Sequence, residues 1–212
     1  MTEKGFDVQR FGAVARCSLN CPEKMNALSR ETGEPMVNAV RELMADETVA
    51  VIILRGEGDN FCTGSDLALL GDNLDPAVLC DMMKRMNAFL FELHQGAKIV
   101  ITEVDGYAVG GVLGLALASD ITIATDQAKF CCGFIRIGAV PDMGATYFLT
   151  ERLGMAKAKE VALTGDLRHH PVRRCTPAVT PAAPVPTGIQ ARKRATASCG
   201  GRSQAGLRPN QR

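Results

Sequence analysis

Residues 105–120, DGYAVGGVLGLALASD, constrain this chain more than any other stretch. They read as a strand end, a tight turn at Gly110 and Gly111, and an apolar, buried helix that closes on Asp120. A glycine pair opening a helix leaves backbone N–H groups unpaired and pointed outward, and the helix dipole adds partial positive charge there. Such a place holds an anion, including one that exists only during a reaction. A plain tight turn packed against a buried helix accounts for the same residues, because paired glycines are common punctuation.

A second stretch, VAVIILRGEGDNFCTGSDL at residues 49–67, gives a continuous apolar run over 49–54, a polar loop, and then FCTGSDL. A β-branched run ending in a glycine-rich loop is a buried strand feeding a loop at its C-terminal end. Ligands in α/β folds collect at that end of the strands. Around these two stretches, residues 6–19 alternate and turn at Gly12, which predicts a hairpin. Ser29 caps a helix that has Pro35 in its first turns, runs to about Asp46, and buries Met36, Val40, Leu43 and Met44. Residues 49–55 form a strand. Asp75 and Pro76 start a second long helix through Leu93, whose methionines 82, 83 and 86 read as core rather than as a lipid-binding surface. Residues 99–104 and 121–124 are strands and 110–119 a helix. Asp142 caps a helix through Arg152, and residues 156–163 form another. Strands alternating with helices make the fold class α/β.

Composition bounds the rest. With 212 residues, 46% of them hydrophobic, one sizeable globular domain is expected. No apolar run is long enough to span a bilayer, and residues 1–7 lack the apolar core of a signal peptide. Eight cysteines with no CxxC spacing, Cys131 and Cys132 being adjacent, read as reduced thiols of a cytoplasmic protein. No metal site is expected, since His94 stands alone. Nine of the 24 basic residues and none of the 23 acidic ones lie after Asp166, which puts +9 there and −8 on residues 1–166. That last part also holds six prolines and no aromatic residue, so it cannot bury a core and offers bases no stacking platform. Two regions are therefore expected: a folded core over 1–167, and a basic Pro/Arg/Ala-rich tail over 168–212 that is disordered or read out of frame. Neither nucleic acid nor membrane is an expected partner.

Four motifs in order resemble the crotonase superfamily, also called the enoyl-CoA hydratase/isomerase family: PEKMNAL at 22–28, FCTGSDL at 61–67, DGYAVGG at 105–111, and IGAVPD at 137–142 followed by GAT at 144–146. The resemblance covers about residues 6–167. It implies a spiral of ββα units, an acyl-CoA substrate with no cofactor beyond that coenzyme A, and a homotrimer or hexamer. It implies that the backbone N–H groups of Ser65 and Gly111, with Gly110 beside them, grip the thioester carbonyl as an oxyanion hole. Two such donors acidify the α-proton and stabilise the enolate, and losing one typically costs about 3–4 kcal/mol. The Lys24 region and the turn through Ser65, Asp66 and Leu67 would cradle the coenzyme.

Hydratases of this family use two glutamates, which by motif fall at Gly114 and Phe134 here. Neither residue moves a proton, so hydration by that pair is disfavoured, and Phe134 is left as an aromatic facing the acyl group or the core. Asp142 stands where the family's isomerases of phenylacetate-type pathways and its 4-chlorobenzoyl-CoA dehalogenases have Asp. As a general base it would take an α or γ proton from an enoyl-CoA and return it at the other carbon. Dehalogenation also asks for an aromatic clamp and a His, where Phe134 and Asn87 stand. The expected activity is therefore enoyl-CoA isomerisation. The alternatives are another reaction of the superfamily (hydratase-like, aryl-CoA dehalogenase or thioesterase) or an inactive, truncated acyl-CoA-binding homologue, because the family's C-terminal helices do not follow residue 167.

Overall fold

The computed structural model of the protein describes residues 2–3, 5–66 and 75–169. The tail expected from residue 168 lies outside them except for Arg168 and His169, and so does Leu67. The chain divides into units of residues 1–178 and 179–212, the second wholly outside the described residues.

Strands Thr2–Glu3 (β1), Phe6–Phe11 (β2) and Val14–Leu19 (β3) run antiparallel in turn, which includes the expected hairpin. From β3 onward the pairing is parallel, through Val51–Gly56 (β4), Ile99–Val104 (β5) and a later strand, Ile121–Ala124, so the sheet has six strands. Parallel neighbours need crossovers, and helices supply them. Arg30–Ala45 (α1) links β3 to β4, and Pro76–Gln95 (α2) precedes β5. Ser29 caps α1 with its backbone N–H donating 2.9 Å to Thr32 Oγ1, and the Asp75 carboxylate caps α2 by accepting from Ala77 N at 2.9 Å.

A second, smaller sheet was not evident in the sequence. Tyr107–Val109 (β6) pairs in parallel with a strand over Lys129–Cys131, and Arg168–His169 closes that sheet antiparallel. In chain order the strands after β6 are Ile121–Ala124 (β7), Lys129–Cys131 (β8) and Arg168–His169 (β9). Helix Gly111–Ala118 (α3) follows β6, and Ala145–Leu153 (α4) and Met155–Thr164 (α5) follow β8. The ββα repeat is then plain: β5, β6, α3 make one turn and β7, β8, α4 the next. An earlier turn runs β4, Cys62, α2, with Cys62 bridging Ala108 in β6 as a single-residue strand.

α3 is buried on all sides, with Val112, Leu115 and Ala116 in the main core and Leu113 in a second cluster beside Leu149 and Val161. The main core joins the inner faces of α1 (Met36, Val40, Leu43) and α2 (Phe89, Leu90, Leu93) to Ile52, Leu54 and Val100 of the sheet. Asp120 fixes the end of α3 to β5, its carboxylate accepting from Val100 N at 2.8 Å. α4 and α5 leave Tyr147, Leu153, Met155 and Leu163 exposed.

Asn26 ties two loops together beneath the end of β4. It is 1% exposed and holds a left-handed backbone (φ 56°), which Asn tolerates better than most residues. Its Oδ1 accepts from Cys21 N at 2.8 Å, and its Nδ2 donates to Glu57 O at 2.9 Å and Asn60 O at 2.7 Å. Asn26→Ala leaves the half-buried Glu57 and Asn60 carbonyls without this donor and keeps the strained φ, so urea unfolding should show a loss of about 3 kcal/mol. A loss under about 1 kcal/mol would mean that the loops hold without it.

Candidate active site

The chain leaving β4 is held on two sides. Phe61 N donates to Asp105 O at 2.7 Å and Cys62 N to Tyr107 O at 2.8 Å, while Val109 N donates back to Cys62 O at 3.1 Å. On the other side Leu28 N donates to Gly64 O and Asp66 N to Leu28 O, both at 2.8 Å. This pairing uses the Gly64 carbonyl and the Asp66 N–H on either side of Ser65, and the Ser65 N–H has no acceptor among the described residues. Gly64 sits at φ +98°, and a Cβ on it would lie 2.8 Å from Val109 O and 4.0 Å from Gly110 Cα. Only glycine takes that backbone and permits that approach.

Gly110 precedes α3 with φ 67° and ψ −134°, again a glycine conformation, and its N–H is spent on Cys131 O at 2.9 Å. Gly111 is the first residue of the helix, so its N–H is one of the unsatisfied helix-start donors and has no acceptor among the described residues. Ser65 and Gly111 therefore each stand one residue beyond the Gly64–Gly110 contact.

The turn carrying Asp142 packs against this helix start. A Cβ on Gly111 would run into Met143 Sδ and lie 3.0 Å from Asp142 Oδ1. That oxygen is buried and accepts no hydrogen bond among the described residues. Burial pushes the Asp142 carboxyl up to about 6, with only partial relief from its own backbone N–H. Burial likewise pushes the neighbouring Cys132 thiol up to about 11, helped by the charges of Cys131 and Asp142, so Cys132 faces the carboxylate as a neutral thiol.

The expectation that Asp142 caps a helix is corrected here. α4 starts at Ala145, and its cap position is Gly144. Met143 (φ 47°) and Gly144 (φ 65°) are both left-handed, which no right-handed helix can continue, so the helix begins two residues later than expected. Asp142 contributes only its carbonyl, which accepts from Ala145 N at 2.9 Å. Met143 is 3% exposed and holds a backbone that a non-glycine residue adopts at a cost of about 1–3 kcal/mol. The same turn fills the space in front of Gly114, where a Cβ would collide with Met143 O.

The other expected site residues divide. Lys24 ends a short 3₁₀ helix, Pro22–Lys24, and meets Asp66 at 3.8 Å, so these two flank the Ser65 turn together as a half-exposed ion pair of little energetic weight. Phe134, 8% exposed in the 3₁₀ helix Gly133–Ile137, packs among Leu113, Cys132, Ala145 and Leu149 in the second core cluster. Leu67 is outside the described residues. Met82, Met83 and Met86 are only half buried, and they wall a cavity of about 200 Å³ between α1 and α2. Helical spacing alone places all three in the core, and of them Met86 does pack against it. Leu28, Ser65 and Met143 also line this cavity, whereas Gly111 and Asp142, next to Met143, do not. Among the described residues no group of three His, Cys, Asp or Glu side chains could hold a metal ion, and no helix is long and apolar enough to cross a membrane.

The model of the family described as Enoyl-CoA hydratase/isomerase matches residues 9–170. YhaR of Bacillus subtilis (strain 168), whose name places it among enoyl-CoA hydratases/isomerases, is 36% identical over 154 residues, covering 73% of this chain and 60% of that protein. The 1,2-epoxyphenylacetyl-CoA isomerase of Escherichia coli (strain K12) is 33% identical over 158 residues, covering 72% of this chain and 60% of that protein. A solved enoyl-CoA hydratase/isomerase from Cupriavidus metallidurans CH34 superposes with a TM-score of 0.73 at 28% identity, over 80% of this chain and 64% of that one. The chain thus spans about 60% of the length of these curated relatives.

A raised carboxyl pKa has a consequence for stability. The folded protein binds the Asp142 proton more tightly than the unfolded chain does, so the group contributes stability below the ordinary carboxylate range and withdraws it as pH rises through about 6. Asp142→Asn should therefore raise the melting temperature at pH 8, with the gain fading below pH 5. A helix cap would behave oppositely, and a variant less stable at pH 8 would contradict the unpaired, buried carboxylate.

Proposed function

This chain belongs to the enoyl-CoA hydratase/isomerase family, and we propose that it is an enoyl-CoA isomerase that shifts a carbon–carbon double bond with Asp142 as its one acid/base group. The observation that carries this reading is the Asp142 carboxylate oxygen, buried, unpartnered and 3.0 Å from where a Cβ of Gly111 would stand.

In the proposed reaction the thioester carbonyl of a 3-enoyl-CoA lies between the N–H groups of Ser65 and Gly111. Drawing charge onto that oxygen acidifies the C2 protons. The Asp142 carboxylate removes one, the electron pair delocalises through C3 and C4 into a dienolate, and the two amides hold the negative oxygen. The Asp142 carboxyl then returns the proton at C4, leaving the conjugated 2-enoyl thioester. With a pKa of about 6, Asp142 is ionised at neutral pH, yet more basic than an ordinary carboxylate. Met143 lies at the boundary between the cavity and Gly111, and its unbranched thioether can swing aside to admit the acyl group.

Hydration asks for two carboxylates that hold a water. Position 114 is a glycine pressed against Met143 O, and position 134 is a phenylalanine in a core cluster. The relatives include a trans-2-decenoyl-acyl-carrier-protein isomerase beside several named as hydratases, so isomerisation is within the range of their names. The proposal extends to the binding of the coenzyme beside Lys24 and Asp66, to the absence of any cofactor beyond it, and to a cytoplasmic location. It includes a homotrimer or hexamer, for which the apolar side chains left exposed on α4 and α5 offer a contact surface.

Conversion of 3-hexenoyl-CoA to 2-hexenoyl-CoA, followed in the ultraviolet, tests the reading. Asp142→Ala should lower kcat by about 10²- to 10⁴-fold, and wild-type kcat/KM should climb with pH through about 6 and then level. An unchanged rate in Asp142→Ala would reject the mechanism. Acyl-CoA binding without turnover by the wild type would leave only a binding homologue.

A further inference from the structure

Helices α3 and α4 lie side by side and point the same way. Start meets start: the turn of Asp142 and Met143 that leads into α4 packs against Gly111 and Gly114. End meets end: Arg152, in the last turn of α4, reaches the carbonyls at and just beyond the end of α3, where a helix leaves its acceptors unpaired. Its Nε and Nη2 donate to Leu117 O at 3.3 and 3.2 Å, and Nη2 also donates to Ser119 O. His94 of α2 closes the same end, with Nδ1 3.2 Å from Ala118 O and its ring edge-on to Phe148 of α4 at 5.1 Å between centroids. The near end of α4 has a weaker hold. No side chain caps its first turn, Met143 and Gly144 are left-handed, and Asp142 Oδ1 has no hydrogen-bond partner among the described residues. The Arg152 fork is therefore the polar tie that limits how far α4 can slide along α3.

We propose that Arg152 is a positioning residue for the reaction: its grip on the end of α3 sets the axial register of α4, and with it the distance from the Asp142 carboxylate to the Gly111 N–H. The inference rests on the isomerase reading above and adds the residue that holds its base in place. The lever is short and stiff. α3 has eight residues, so it spans only about 12 Å. Leu113, Ala145 and Leu149 fill the seam between the two helices. Such apolar contacts resist separation but carry no direction, whereas hydrogen bonds to particular carbonyls weaken steeply when the register slips. Gly111 is held separately, through Gly110 N donating to Cys131 O at 2.9 Å. Loss of Arg152 thus moves the base and leaves the oxyanion donor where it is. A displacement of about 1 Å at a reacting group can cost about 10²-fold in rate.

The test compares the full chain with Arg152→Met, Asp142→Ala and the double variant in the isomerisation of 3-hexenoyl-CoA, with hexanoyl-CoA titrated by calorimetry to count competent sites. Arg152→Met should lower kcat per competent site by about 10- to 100-fold while hexanoyl-CoA affinity stays within about twofold. In the Asp142→Ala background the same substitution should cost nothing further, because its effect runs through that carboxylate. Arg152→Lys keeps the charge but not the fork, so it should recover part of the rate, and it carries the same comparison should Arg152→Met fail to fold. A wild-type kcat per site in these variants, whatever their melting temperatures, would overturn the inference by leaving Arg152 a stabilising contact only. Equal losses with and without Asp142 would overturn it as well, and both results leave the isomerase reading intact. A rate that Asp142→Ala does not change would sink that reading and this inference together.

Discussion

The backbone pairing of residues 61–66 with 105–109 on one side and Leu28 on the other is the interaction on which the site depends. It joins three segments far apart in sequence through main-chain bonds, which the side chains of Asn26, Asn60 and Cys62 reinforce. Gly64 then lies against Val109 O and Gly110 Cα, an approach that any Cβ would prevent. The pairing takes the Gly64 carbonyl and the Asp66 N–H, and the Ser65 N–H between them is left over among the described residues. Gly111 keeps its donor for a different reason, as the first residue of a helix. The proposed oxyanion hole thus needs nothing beyond two leftover main-chain donors at the ends of two spiral turns, which is why a serine at position 65 is no obstacle.

Around that frame, residues 142–144 are the part on which the proposed chemistry rests. Two consecutive left-handed residues delay α4, and in doing so they press Met143 O into the space before Gly114 and hold Asp142 Oδ1 beside Gly111 with no hydrogen-bond partner among the described residues. A side chain at 114 and this turn exclude each other sterically. The loss of a carboxylate at one position and the gain of one at another are therefore a single structural choice rather than two. Desolvation then leaves Asp142 more basic than an exposed carboxylate, with the neutral Cys132 thiol for company.

The large elements were legible because their chemistry is local. Ser29 and Asp75 announce helix starts, and the β-branched runs at 51–56 and 99–104 announce buried parallel strands. The second sheet was not legible. Its strands are two or three residues long, too short to show a period, and Tyr107–Val109 exists as a strand only because Lys129–Cys131 comes beside it. The start of α4 was misjudged for a related reason: an Asp three residues before an apolar helix looks like a cap, and only the tertiary turn reveals φ 47° at Met143. Met82, Met83 and Met86 carry core-like spacing, yet of the three only Met86 packs against the core and all line a cavity, a distinction that periodicity cannot make. Asp142 and Gly114 could be singled out from the motifs, whereas Met143 and Cys132 gave no signal beyond lying next to them.

The central claim is that Ser65 and Gly111 donate together to one thioester oxygen. Difference infrared spectroscopy of bound hexanoyl-CoA, with ¹³C at the thioester carbonyl, reads that interaction directly. Two short N–H donors should move the carbonyl stretch well below its frequency in water. A bound carbonyl that vibrates at or above the free frequency would contradict the account.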